Sequence, residues 1–227
     1  MRILMLIGLT NVLSGEQLEV ARQLLSEGSF VDGKLSAGEQ AGRYKNNQEY
    51  CASEERTTAI NNLVMGALIR HPVYLNAGLP RRVAAPYYCR YLPGMGYGSH
   101  IDDPIMGQGD RYRSDIAITV FLNEPDEYQG GELEIETEFG PQQAKLSAGD
   151  AVMYPASSRH RVNEVTAGVR LVAVTWMQSL VSESEKRGLL YQLYLAKESL
   201  RKSDPESEVT QQVDQSYANL VRMWSRL

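Results

Sequence analysis

The chain has 227 residues, 43% of them hydrophobic and 22% charged, and a formal net charge of −5. That balance is ordinary for a globular protein, and its acidic side argues against a general nucleic-acid binder, which is normally basic. Two cysteines, Cys51 and Cys89, are too few for a disulfide framework and point to a reducing cytoplasm. No apolar run approaches the roughly 18 residues that a membrane-spanning helix needs.

Ile3 to Leu9 is apolar but brief, lacks a small-residue cleavage site, and reads as a buried strand. Ser14-Gly15-Glu16-Gln17 has the form of a capping box, with Ser14 at the N-cap and Gln17 reaching back. Leu18, Ala21, Leu24 and Leu25 then repeat at helical spacing, with Gly28 as the stop. Residues 31–50 are polar and predict a loop with one strand around Arg43-Tyr44. A second helix should follow Ser53, with Ile60, Leu63, Val64, Ala67 and Leu68 on one face. It should end near His71-Pro72, because the residue before a proline avoids the helical region. His71 then reads as a helix C-terminal residue, favourable against the dipole, and not as a ligand.

From residue 83 to 178 the texture changes to short β-branched or aromatic segments: Val83 to Leu92, Asp115 to Leu122, Glu132 to Glu136, Ala144 to Leu146, Ala151 to Tyr154, His160 to Val165 and Val169 to Met177. Turn signals separate them, among them Pro93-Gly94, Gly130-Gly131, Gly140-Pro141 and Ala167-Gly168. Such spacing predicts an antiparallel sandwich or barrel, a mainly β fold with flanking helices. Beyond Ser179, Ser182 to Lys202 reads as an amphipathic helix and a second helix runs through Trp224, with Asp204 as its cap and Pro205 at its first turn. The chain therefore divides into an N-terminal α/β part (1–79) packed on the core, a strand-rich domain (80–178) and a helical extension (179–227). The extension would cover the sandwich or make a homo-oligomer contact.

Only three histidines are present, and two of them join one constellation. His100 and Asp102 stand at i and i+2, which on an extended strand puts both side chains on one side. His160, from a later strand, would complete one face of a metal and leave the opposite face open. Two imidazoles and a carboxylate are the facial triad of non-heme Fe(II) oxygen chemistry. The glycines in the approach, Pro93 to Ser99, allow the sharp turn that delivers the pair. The residues alone also permit a catalytic zinc, a cupin-like metalloenzyme that does not use a 2-oxo acid, or an iron sensor without turnover.

Arg170 opens an apolar alternating run and shares a face with Val172 and Val174. A charge there is costly unless paired. It either reaches solvent beside the Ala167-Gly168 turn or meets a carboxylate in a bidentate contact. Arg81-Arg82, Arg111 with Arg113, and Arg159 with Arg161 are local basic clusters, read as solvated charge or as a rim that attracts anions.

Tyr91, Pro93-Gly94, Tyr97, His100-Ile101-Asp102, Pro104, Gly130-Gly131-Glu132-Leu133, Gly149-Asp150, His160-Arg161-Val162 and Arg170 resemble the pattern of Fe(II)/2-oxoglutarate dioxygenases of the prolyl-4-hydroxylase group. Over its whole length the chain is similar to bacterial PKHD-type hydroxylases. The resemblance implies a double-stranded β-helix (jelly-roll) core and an Fe(II) ion held by His100, Asp102 and His160. It also implies 2-oxoglutarate as cosubstrate, held by Arg170 with further contacts from Tyr91 and Thr119, and ascorbate as reductant. Phe121 stands where some relatives carry a tyrosine that binds the cosubstrate, so another residue must supply that hydrogen bond. The activity implied is hydroxylation of a protein side chain or a siderophore-like small molecule, with a link to iron uptake and no nucleic-acid or membrane partner.

Overall fold

The structure is a computed structural model that describes residues 6–38, 42–107 and 109–227. Two antiparallel sheets face each other. The larger has eight strands in the order β1 (Ile7–Leu9), β14 (Ala151–Pro155), β10 (Ile116–Phe121), β17 (Arg170–Ser179), β6 (Tyr87–Tyr91), β4 (Gln48–Cys51) and β2 (Ser29–Asp32), with β5 (Pro80–Val83) also paired to β17. The smaller has five: β13 (Gly140–Ala144), β12 (Leu133–Thr137), β15 (His160–Val162), β7 (Gly96–His100) and β3 (Lys45–Asn46). Two short ladders complete the strands, β11 (Tyr128–Gly130) with β16 (Val165–Gly168), and β8 (Ile105–Met106) with β9 (Tyr112–Arg113). This is the predicted jelly roll, an open two-sheet sandwich and not a closed barrel.

Strand β10 shows why the sequence reads as it does. Every one of its residues is buried, because both of its faces are covered. Ile116, Ile118 and Val120 point outward to helices α1 (Gly15–Ser26), α2 (Glu54–Leu68) and α3 (Pro72–Gly78), where they join Leu25, Ile60, Val64, Leu68 and Tyr74 in one core. Ala117 and Phe121 point inward to a second core between the sheets, with Leu133, Ile135, Val152, Val162 and Val172. Each fully buried aliphatic or aromatic side chain contributes about 1.5–3 kcal/mol. Alternation therefore sorts one continuous apolar run into two cores.

Helix α1 begins as predicted, with both halves of the Ser14–Gln17 capping box formed. The N-terminal strand is shorter and less buried than predicted: β1 sits at the sheet edge and spans Ile7–Leu9, while Met1 to Met5 lie outside the described residues. Residues 31–50 hold more structure than the loop predicted: β2, a 3-10 turn over Gly33–Ser36, β3 and β4. Helix α2 stops at Leu68 and His71 is the N-cap of α3, where Pro72 fills the first turn. Its ring Nε2 lies 3.1 Å from the Thr10 carbonyl. Gly140-Pro141 belongs to β13, and the turn precedes it at Glu138-Phe139. The helical extension is a hairpin of α4 (Ser184–Ser203) and α5 (Glu208–Trp224). The cap of α5 is Ser207, whose Oγ accepts from Thr210 N at 3.2 Å, and not Asp204.

Candidate metal centre and cosubstrate pocket

The inner face of β7 carries the first ligand candidate. Gly96 lets β7 lie against β15, since a Cβ there would stand 3.0 Å from the Val162 carbonyl oxygen. The ladder then sets His100 directly opposite His160, and Asp102 follows two residues past the end of β7. Asp102 Oδ1 is 4.0 Å from His100 Nε2 and 3.8 Å from His160 Nε2. One ligand atom from each residue lies within 4.8 Å of the others. The sequence-predicted triad is assembled.

Each imidazole is oriented by the backbone. His100 Nδ1 lies 2.8 Å from the Gly98 carbonyl and His160 Nδ1 lies 3.0 Å from that of Ser158. A carbonyl only accepts, so Nδ1 carries the proton in each ring and Nε2 keeps its lone pair for a ligand role. Burial lowers the His100 pKa to about 4, assisted by neighbouring His160, and burial lowers His160 as well. Both rings are therefore neutral at pH 7. Burial raises Asp102 to about 6, against the opposing influence of the Trp176 indole and of His100. Asp102 Oδ2 has no hydrogen-bond partner among the described residues. Tyr97 stacks on His100 with centroids 3.7 Å apart, and Tyr154 meets His160 edge-on at 5.1 Å. Neutral imidazoles and an under-satisfied carboxylate form a donor set suited to a divalent cation.

Arg170, the first residue of β17, pairs with Tyr91 across the ladder. It is 1% exposed, so the solvent-reaching alternative does not hold. Its guanidinium lies 4.9 Å from the Tyr91 ring centroid and 5.8 Å from that of Phe121. Among the described residues Nε and Nη1 have no hydrogen-bond partner. The Tyr128 hydroxyl is close enough for the guanidinium charge to oppose the upward push of burial on its pKa, but no hydrogen bond of normal geometry joins them. Gly131 makes room for this arginine: its φ is +67°, and a Cβ there would come within 3.0 Å of Arg170 Cδ. An arginine buried without a carboxylate among the described residues has the chemistry to receive an anion.

His100, Asp102, His160, Arg170, Tyr91 and Thr119 all line one cavity of about 670 Å³. Thr119 and Tyr154 face each other closely enough for the Thr119 hydroxyl to hold down the strongly raised pKa of the buried phenol. One arginine of each basic cluster is neutralised by a carboxylate: Arg82 pairs with Asp110, Arg113 with Asp115 at 2.6 Å, and Arg161 with Glu134 at 2.8 Å.

Sequence reasoning missed a third wall. Lys45, Asn47 and Glu49, from the segment predicted as loop, also line the cavity. Lys45 Nζ and Glu49 Oε1 form a buried ion pair at 2.5 Å, and Ser36 Oγ donates to the same Glu49 oxygen at 2.8 Å. A polar stretch without periodicity gives no sign that its charges are inward. Only the pairing of β3 with β7 and of β4 with β6 turns them in.

The sandwich, the triad and the buried arginine together define the 2-oxoglutarate/Fe(II) oxygenase class, and the 2OG-Fe(II) oxygenase superfamily profile matches residues 86–178. A PKHD-type hydroxylase of Thioalkalivibrio sulfidiphilus is 49% identical over 222 residues, 97% of this chain and 99% of that protein. The chain belongs to the PKHD-type hydroxylase family and is a 2-oxoglutarate-dependent hydroxylase. Among solved structures, a prolyl hydroxylase of Trichoplax adhaerens in complex with a hypoxia inducible factor peptide fragment aligns with TM-score 0.60 at 17% identity, covering 82% of this chain and 86% of that one. HygX of Streptomyces hygroscopicus, with nickel, 2-oxoglutarate and hygromycin B bound, aligns with TM-score 0.52 at 13% identity, covering 78% and 84%. At these identities both share the fold.

Proposed function

We propose that His100, Asp102 and His160 hold the Fe(II), that Arg170 anchors the distal carboxylate of 2-oxoglutarate with Tyr91 and Thr119 beside it, and that the enzyme hydroxylates a protein side chain or a siderophore-like small molecule in the cytoplasm as part of iron acquisition. The observation that carries the site assignment is the Arg170 guanidinium, buried and missing partners at Nε and Nη1, in the same cavity as the triad. When bound, the iron and 2-oxoglutarate supply oxidative decarboxylation, in which one oxygen atom enters succinate, released with CO2, and the other enters a C–H bond of the substrate.

The chain's own residues do the rest. The Gly98 and Ser158 carbonyls fix the imidazole tautomers, and Trp176 lies beside Asp102, holding down the pKa that burial raises. Leu133, Val162 and Val174 give the cavity apolar lining, which limits water around a reactive centre. Tyr87 and Ile105 line it too and are 44% and 53% exposed, an apolar mouth through which a substrate reaches the centre. Ascorbate would keep the iron reduced between turnovers. The free thiols of Cys51 and Cys89 support the cytoplasmic reading. The α4–α5 hairpin is the proposed self-association surface.

The test is anaerobic. Fe(II) and 2-oxoglutarate added to the metal-free protein should give the weak visible charge-transfer band of the chelate, and air should then release succinate. A protein that binds Fe(II) but gives neither band nor succinate would sink the cosubstrate assignment. Extracts of peptides and iron-chelating metabolites, scanned for a gain of one oxygen atom, decide between the two substrate classes.

A further inference from the structure

The cosubstrate pocket has an amide in its wall with nothing to bind. Asn47 lies between β3 and β4 and is 3% exposed, yet among the described residues neither Oδ1 nor Nδ2 has a hydrogen-bond partner. Leaving both ends of a buried primary amide unmade is a cost that a ligand able to pair with it would remove. The side chain lines the same cavity as Arg170, Tyr91 and the triad. It also lies near the Tyr91 hydroxyl and the Cys89 thiol, close enough to ease the upward shift that burial imposes on each.

The backbone holds Asn47 in that place. Its carbonyl accepts from Gly33 N at 2.9 Å, and a Cβ on Gly33 would stand 1.9 Å from Asn47 Oδ1. Only glycine lets the 3-10 turn close this tightly on the amide. Phe121, beside the Arg170 guanidinium on the inner face of β10, presents a ring without a hydroxyl, so it offers no donor there.

We propose that Asn47 is a cosubstrate-binding residue, its buried side-chain amide donating to 2-oxoglutarate. This rests on the assignment of Arg170 to the distal carboxylate. It makes the segment between β2 and β4 part of the active site, and the pocket is complete only when β3 and β4 have joined the two sheets.

The experiment is calorimetric titration of 2-oxoglutarate into the full chain loaded with Mn(II), without oxygen, for the wild type, Asn47→Ala and Asn47→Asp, with Mn(II) affinity measured for each. A hydrogen bond to a charged group is worth about 1.5–3 kcal/mol, so Asn47→Ala should weaken 2-oxoglutarate binding about tenfold or more with Mn(II) affinity unchanged. Asn47→Asp keeps the shape but faces the cosubstrate with a carboxylate, and should bind more weakly still. In the wild type, the Asn47 side-chain amide resonances should shift when 2-oxoglutarate is added to the Zn(II)-loaded protein. Wild-type affinity in both variants, or unmoved amide resonances in a protein that does bind 2-oxoglutarate, overturns the role of Asn47 alone. A wild type that binds Mn(II) and no 2-oxoglutarate overturns the Arg170 assignment, and this inference with it.

Discussion

His100 and His160 stand directly opposite one another in the β7–β15 ladder, and each ring is steered by the carbonyl two residues before it, Gly98 and Ser158. The same local device is used twice, and the two Nε2 atoms converge on Asp102, with Tyr97 and Tyr154 packed against the rings. His160→Ala should cost more metal affinity than the loss of an outer partner, which is typically about 10–100-fold. Gly98→Ala tests the outer device itself, because its Cβ would come within 2.9 Å of Tyr44 Cβ and push the strand that carries the steering carbonyl. We expect Gly98→Ala to weaken Mn(II) binding about 10–100-fold, measured by titration against a chelator. Unchanged affinity would separate ligand orientation from this carbonyl.

Arg170 should be a stability cost that function retains. Its guanidinium is desolvated, with aromatic faces beside it and no carboxylate in reach among the described residues. Replacing a buried charge with an apolar side chain of similar length is often neutral or stabilising by about 1–4 kcal/mol. Arg170→Met should therefore raise the ligand-free Tm, by about 2–4 °C for each kcal/mol in a chain of this size. It should also abolish the further rise that 2-oxoglutarate gives the wild type. A variant that melts lower, and is still stabilised by 2-oxoglutarate, would contradict both halves.

The triad and Arg170 were legible because each breaks the pattern around it. A charge at the head of Arg170-Leu171-Val172 contradicts the alternation, and His100 stands two residues before Asp102 in a chain with only three histidines, another of which heads a later apolar segment. Asn47, Lys45 and Glu49 break no pattern. Polar residues in a polar stretch are what a surface loop contains, and their burial follows from long-range pairing with β7 and β6, which no local spacing encodes. The end of α2 is hidden for a related reason: in sequence Pro72 looks like a helix stop, whereas in the fold it opens α3. The strand limits were sound where both faces of a strand are buried, as in β10, and drifted at edges such as β1 and β13.

Metal loading should depend on pH through Asp102. In the metal-free protein burial holds its pKa at about 6, while His100 is held near 4 and His160 is also lowered. At neutral pH and above the carboxylate is already ionised and the imidazoles neutral, so the metal displaces no proton and its affinity should be flat. Below pH 6 a proton on Asp102 competes, and apparent affinity should fall about tenfold per pH unit from this one group. Thermal shift of the protein with Mn(II) between pH 5 and 8 checks this. A shift that grows as pH falls would reverse the assignment.

The two cysteines should differ sharply in reactivity. Cys51 is exposed, whereas Cys89 is buried on the inner face of β6 between the sheets. Burial raises the Cys89 pKa to about 12, Glu49 pushes it the same way, and Lys45 and Arg170 only partly oppose. The thiolate is the nucleophile, so Cys89 stays inert at pH 8. Native protein treated with iodoacetamide should gain one adduct, at Cys51, and the unfolded chain should gain two, read by intact mass. The same shift makes the folded state hold a proton that the unfolded chain releases above pH 9, so this contribution to stability is lost as pH rises from 9 towards 12. Cys89→Ala should flatten that part of the alkaline unfolding curve while leaving the Cys51 adduct in place. Rapid native labelling of Cys89 at pH 8 would mean that the gap between β6 and the smaller sheet opens, and with it the wall that holds Tyr91 and Asn47.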